Sequence, residues 1–93
     1  MSSSVDYPEK DRPVEAWCDL HDLHVRLADG RQVSTPLWWY PRLLKATPAQ
    51  RNTVKLMLDG VHWPEVDEDL SIDGMLAGRK APGAVPPSVA GMI

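Results

Sequence analysis

Hydrophobic and polar residues alternate from Val14 onward: Val14, Ala16, Cys18 and Leu20 fall on one side of an extended chain, Glu15, Trp17 and Asp19 on the other. A period of two predicts a β-strand. His21-Asp22 is placed to turn the chain. Leu23, Val25 and Leu27 then alternate with His24 and Arg26, which predicts a second strand with one apolar face. Asp29-Gly30 lies between Leu27 and Val33. Asp-Gly at that spacing predicts a hairpin through a primed turn, with positive φ at both central residues. Gln32 to Ser34 begins the return strand.

The period then changes. TPLWWYPRLLKATPAQR, Thr35 to Arg51, holds two of the four tryptophans and two helix-start signals. Thr35-Pro36 reads as an entrance, since threonine accepts a bond from an orphan amide and proline loses nothing at the first helical position. Leu37, Tyr40, Pro41 and Leu44 recur at helical spacing, with Trp39, Leu43 and Ala46 as a second apolar row. Pro41 lies about a turn inside, so either the first turn is irregular or the helix proper begins near Tyr40. Thr47-Pro48-Ala49-Gln50 is a capping box with proline at the first helical position. The prediction is helix, break, helix, the second running over 48–58.

Asp59-Gly60 interrupts that pattern. Val61-His62-Trp63 is β-prone and stops at Pro64, which predicts a short or edge strand. Four acids follow in five positions: Glu65, Asp67, Glu68 and Asp69. Ser71 is placed to cap a final helical turn packing Met75, Leu76 and Ala77, with Gly78 as a left-handed stop. The expected organisation is a flexible arm over 1–12, one domain over 13–78, and a Pro/Gly-rich disordered tail over 79–93. The expected fold class is α+β: a small antiparallel sheet of three to four strands, a broken helix on one face and a short C-terminal helical turn.

Composition narrows function by subtraction. Net charge is −3, and no basic cluster exceeds Arg79-Lys80, which argues against nucleic-acid binding. A single cysteine, Cys18, leaves no internal disulfide and no Cys-based zinc site, and its setting reads as a small packed residue. No apolar run approaches the ~20 residues of a membrane span. MSSSVDYPEK lacks the basic-then-apolar order of a signal peptide, so a cytoplasmic location is expected. Ser2, Ser3 and Ser4 have no base at recognisable spacing, and no catalytic set is evident. No cofactor is implied.

The tryptophans matter more. One buried indole of ~200 Å² contributes at most about 5 kcal/mol at roughly 25 cal/mol/Å². A core this small is short of room for Trp17, Trp38, Trp39 and Trp63, and those left outside would form a patch suited to a partner.

The long motifs resemble a family of small bacterial proteins known only as a domain of unknown function. The resemblance rests on Asp29-Gly30-Arg31, on TPL-x-WYPRLL-x-ATP-x-QR from Thr35 to Arg51, and on HWPEVDEDLSIDGMLAG from His62 to Gly78, and it covers about Trp17 to Gly78. It implies a compact α+β domain with helices packed on one sheet face. It also implies that some relatives belong to toxin–antitoxin-like gene pairs and that others precede a helix-turn-helix domain. This chain has no room after Gly78 for the latter. The family's link between Arg51 and Val61 is longer and richer in glycine than NTVKLMLDG here, which leaves the length of the second helix open.

Three functions are weighed. The first is a non-enzymatic interaction module, antitoxin-like, binding a partner protein from an adjacent gene through Trp38, Trp39, Tyr40, Arg42, Glu65, Asp67, Glu68 and Asp69. Its acidity would suit a basic partner. Self-association through an edge strand is a further route to an interface. The second is a metal- or ligand-binding, enzyme-like domain using His62 with carboxylates 65–69, although the spacing matches no ligand motif and a solvated acidic loop is the better account of it. The third is an accessory to a DNA-binding regulator. Arg31, Arg42 and Arg51 are expected to pair with the acidic segment rather than to bind anions.

Overall fold

A computed structural model describes residues 9–87 of the chain; positions 1–8 of the expected arm and 88–93 of the expected tail lie outside the described residues. Two antiparallel sheets share one core. The first joins β1 (Pro13–Cys18), β2 (Asp22–Leu27) and β3 (Gln32–Pro36) in that order. A 3-10 turn at Leu37–Trp39 leads into α1 (Pro41–Leu44) and α2 (Pro48–Asn52). The second sheet joins β4 (Lys55–Leu56), β5 (Gly60–Trp63) and β6 (Glu68–Ser71), and α3 (Ile72–Leu76) follows. The fold is α+β, as expected, with the strands divided between two sheets.

β2 anchors the core because its alternation is clean: Leu23, Val25 and Leu27 are buried. Its neighbours are in register through Cys18↔Leu23, Ala16↔Val25 and Val25↔Val33. β1 alternates less well than its sequence implies. The register slips between Pro13 and Glu15, so Val14 is the extra residue of a bulge and is 41% exposed. Leu20 falls beyond the strand and is 83% exposed. The β1–β2 turn is held by Asp19, whose Oδ1 accepts the backbone N–H of His21 at 2.8 Å and of Asp22 at 2.7 Å.

The Asp29-Gly30 hairpin forms, but not through a primed turn. Gly30 N–H donates to Leu27 O at 2.9 Å, and Gly30 alone of the pair has positive φ, +96°. The three-residue connection takes a left-handed glycine where a two-residue turn would need two such residues. Asp29 instead accepts from Arg31, which also pairs with Asp11.

Thr35-Pro36 ends β3 rather than opening a helix, and the Thr35 hydroxyl accepts from Tyr40 Oη at 2.8 Å. The helix proper begins at Pro41, in the first helical position. The capping box is complete: Gln50 N–H donates to Thr47 Oγ1 at 3.1 Å, and Thr47 N–H to Gln50 Oε1 at 2.9 Å. The expected extent of this second helix, 48–58, is corrected to Pro48–Asn52. Thr53 leaves helical geometry, and Lys55 and Leu56 pair with His62 and Val61 as β4. β-branched Thr53 and Val54 favour the extended state, and β5 offers a partner for it.

That pairing makes β5 the central strand of its sheet instead of an edge. Pro64 lies just past its end, so the ladder loses no donor there. Ser71 caps α3, accepting from Gly74 N–H at 2.9 Å, and Gly78 is left-handed at φ +79°. The sheets close around Leu37, Tyr40, Leu43, Val61, Trp63, Ile72 and Met75. Chain beyond Gly78 also packs: Ala81 N–H donates to Trp39 O at 2.9 Å, and Lys80 Nζ lies 4.7 Å from the Trp39 ring centroid. No helix among the described residues is long and apolar enough to cross a membrane.

Candidate functional site

The four indoles separate by how much of each the small core can take. Trp63 is sealed at 1% exposure, and its Nε1–H donates to Arg51 O at 3.1 Å. Trp17, Trp38 and Trp39 stay half-buried. Trp17 stacks on His24 on the outer face of the first sheet, centroids 5.3 Å apart. Trp39 lies edge-on between Trp38 and Tyr40 and is covered by Lys80. Tyr40 is wholly inside, where burial raises its phenol pKa, and it offers no surface to a partner.

Trp38 differs because its outer side forms part of an open cleft of about 410 Å³. Leu20, Pro36, Leu44, Val85 and Pro87 complete the apolar wall, with His21 and Asp22 on one side. Leu20 is displayed by the tight Asp19 turn; Leu44 is the outward residue of α1, whose other side buries Leu43. Leu20 and Leu44 therefore belong with the Trp38 surface, although periodicity assigned both to apolar faces.

The acidic segment is the β5–β6 turn and the start of β6, and the pleat divides it. Glu65 and Asp67 are exposed in the turn, with Asp67 left-handed at φ +55°. Arg42 NH1 donates to Asp67 O at 2.6 Å and lies 3.9 Å from its carboxylate, as the charge pattern suggested. Asp69 is opposite His62 across the ladder, with Oδ1 2.6 Å from Nδ1. Glu68 is opposite Trp63 and therefore on the inner face, only 8% exposed. Burial raises its pKa, against the lowering influence of Arg42. His62 is thus joined to one carboxylate, and the expected cluster of His62 with all four acids does not assemble. The Arg42–Asp67–Asp69 cleft and the Trp38 cleft have different walls.

Arg51 has a role that charge pattern did not reveal. Its Nε–H and NH2 donate to the Leu43 and Leu44 carbonyls at 2.8 and 2.7 Å, capping the end of α1.

A second polar group lies on the outer face of the first sheet. Ser34 Oγ is 2.7 Å from His24 Nδ1, and Asp19 Oδ2 is 2.7 Å from His24 Nε2. The sequence order hid this chain; the His24↔Ser34 register creates it. Hydrogen bonding from His24, then from the His21 and Asp22 amides, holds the Asp19 carboxyl well below the usual range. Asp19, Asp22 and His24 are the described residues whose ligand atoms converge closely enough for a metal ion, within 4.8 Å. Both Asp19 oxygens and both His24 nitrogens already have protein partners. The group braces the β1–β2 turn. Cys18, behind it, has its thiol pKa raised chiefly by burial, which disfavours the nucleophilic thiolate.

The family model described as "Protein of unknown function (DUF2442)" matches residues 14–81. The chain belongs to this family. The DUF2442 domain is similar to the crystal structure of a protein of unknown function from Rhodospirillum rubrum. That likeness has 28% identity and a TM-score of 0.68, over 78% of this chain and 93% of the other. It shares its fold with an uncharacterised protein from Chromobacterium violaceum solved by NMR, at 21% identity and TM-score 0.68, over 77% of this chain and 70% of that one. No protein of curated function matches the DUF2442 chain significantly.

Proposed function

We propose that this DUF2442 domain is a non-enzymatic protein-interaction module and that its contact surface centres on Trp38. The supporting observation is the apolar cleft in which a half-exposed indole meets the exposed Leu20, Leu44 and Val85. A rigid aromatic anchor amid aliphatic side chains is the composition of an interface centre. Trp39 and Tyr40 support the anchor from within, and Arg42, Glu65, Asp67 and Asp69 supply an outlying charged rim. The net charge of −3 favours encounter with a basic partner. The finer reading is an antitoxin-like member of a gene pair that acts in the cytoplasm on the neighbouring product.

The test is co-expression with the product of the adjacent gene, followed by affinity capture and sedimentation. Capture by wild type is expected, with loss in Trp38→Ala and Leu20→Asp while far-UV circular dichroism is unchanged. Absence of capture, or capture indifferent to both substitutions, refutes the reading. Dimerisation lost with the same substitutions assigns the cleft to a second copy of this chain.

A further inference from the structure

The chain lays one segment of its own beside Trp38. Residues 79–87 cross the aromatic turn: Ala81 N–H donates to Trp39 O at 2.9 Å, and Ala84 N–H returns to Ala81 O at 3.1 Å around a left-handed Gly83. Val85 and Pro87 then form one side of the Trp38 cleft. Their sequence dictates the shape of that side. Val85 precedes Pro86, and Pro86 precedes Pro87, so both are driven from the helical region, while each proline holds φ at about −65°. Such a run favours polyproline II.

The cleft is poorly equipped to receive a β-strand. Pro36 and Pro87 carry no N–H. The N–H groups of His21 and Asp22 are held by Asp19 Oδ1, that of Leu37, next after β3, by His21 O, and that of Leu44 by Tyr40 O. An incoming strand would find few ladder partners, and its own amides would lie unpaired against Leu20, Pro36 and Leu44. A proline-rich segment avoids that penalty, because it has few amides and its backbone needs no ladder. Its carbonyls still accept hydrogen bonds, and the site has a donor to give. Trp63 Nε1–H is engaged by Arg51 O, whereas Trp38 Nε1–H has no acceptor among the described residues. Charge is confined to His21 and Asp22 on one side, so the rest of the cleft selects by shape and apolarity.

We propose that the Trp38 cleft receives a proline-rich, extended segment of the partner protein, lying against the indole alongside the chain's own Val85 and Pro87. This inference rests on the reading of Trp38 as an interface anchor and names the chemistry of what the anchor holds. Proline's fixed φ delivers the segment already shaped, so little conformational freedom is lost on binding.

The probe is a blocked peptide that repeats Ala-Val-Pro-Pro twice and ends in one lysine for solubility. Its control has alanine at every proline. Each is titrated into the ¹⁵N-labelled full chain at neutral pH. The proline peptide should move the Trp38 indole N–H and the Leu20 and Leu44 amides saturably, and leave the sealed Trp63 indole in place. The alanine peptide should bind at least about tenfold more weakly, having lost both the fixed φ and the ring contacts. Trp38→Ala should abolish the shifts at Leu20 and Leu44, and Leu20→Asp, at a highly exposed position, should weaken them in a chain that still folds. Equal response to the alanine peptide, persistence of the shifts in both variants, or no saturable shift up to the solubility of the probe would overturn the proposal. Trp38-dependent capture of the neighbouring gene product without discrimination between the peptides removes this inference and leaves the interaction reading standing. Trp38-dependent peptide binding without that capture does the reverse.

Discussion

Gly60 is the position where one added methyl tests the strand-to-strand approach within the second sheet most directly. A Cβ built there would stand 2.4 Å from Leu70 O and 3.2 Å from Leu70 C and Ser71 Cα. Ordinary contact begins near 3.4 Å, so β6 would have to give by about 1 Å. The obstacle is backbone, which has no rotamer to change. Moving it would strain the Gly60↔Ser71 pairing and the bond from Ile72 N–H to Asp59 O, 3.0 Å, that seats Ile72 in the core. Overpacking of this kind costs about 1–3 kcal/mol, and immobile backbone places Gly60→Ala at about 3. A domain this small has roughly 4–12 kcal/mol in total. The melting temperature should then fall by roughly 12–24 °C, at about 4–8 °C per kcal/mol.

Gly30 supplies the control. It is left-handed at φ +96°, with nothing within 4 Å of its added Cβ, so Gly30→Ala suffers only the backbone penalty, about 1–2 kcal/mol. The side-chain dependence separates the two causes. Asn tolerates left-handed geometry, so Gly30→Asn should recover much of the loss. Gly60→Ser and Gly60→Asn carry the same Cβ as alanine and should be at least as damaging. Thermal and urea melts of these variants measure the difference. A Gly60→Ala melt within a few degrees of wild type, or Asn outperforming Ala at position 60, would show that β5 and β6 do not approach as described.

Other substitutions probe separate parts of the architecture. Trp63→Ala should cost about 3–5 kcal/mol in a urea melt, enough to unfold much of the population, because it empties a sealed site and orphans Arg51 O. Thr47→Ala should lower stability by about 1 kcal/mol in the same assay, since it removes the acceptor for Gln50 N–H at the start of α2. Asp19 should mark the acid limb of the stability curve. Its folded pKa is depressed, first by His24 and then by the His21 and Asp22 amides. Its contribution is therefore complete above about pH 4 and drains away as acid protonates it; melts of Asp19→Asn should show a flatter decline below that pH. Glu68 has the opposite sign, because burial raises its folded pKa. The stabilisation from Glu68→Gln should be largest at neutral pH and vanish in acid, below the unfolded glutamate pKa of about 4.3.

Features that a few neighbouring residues encode were legible in the sequence. Leu23, Val25 and Leu27 face inward because alternation permits one apolar side. Thr47 and Gln50 close their capping box, and Ser71 and Gly78 bracket α3, because each motif satisfies backbone groups within one turn. The indole surplus was also countable in advance: Trp63 fills the centre and three others remain at the rim. Tertiary structure decided everything that depended on a distant partner. Residues 53–58 could satisfy a helical or an extended pattern, and Val61 and His62 made the choice by pairing with Leu56 and Lys55. The β5–β6 register divided the acidic segment at the start of β6, sending Glu68 inward while Asp69 met His62 outside. The β2–β3 register joined Ser34 to His24, and folding brought Arg51 onto the carbonyls of α1. Local codes are strong because their partners lie within about four residues. Pairings across ten or more residues depend on which strand arrives alongside, and no short window of this chain contains that information.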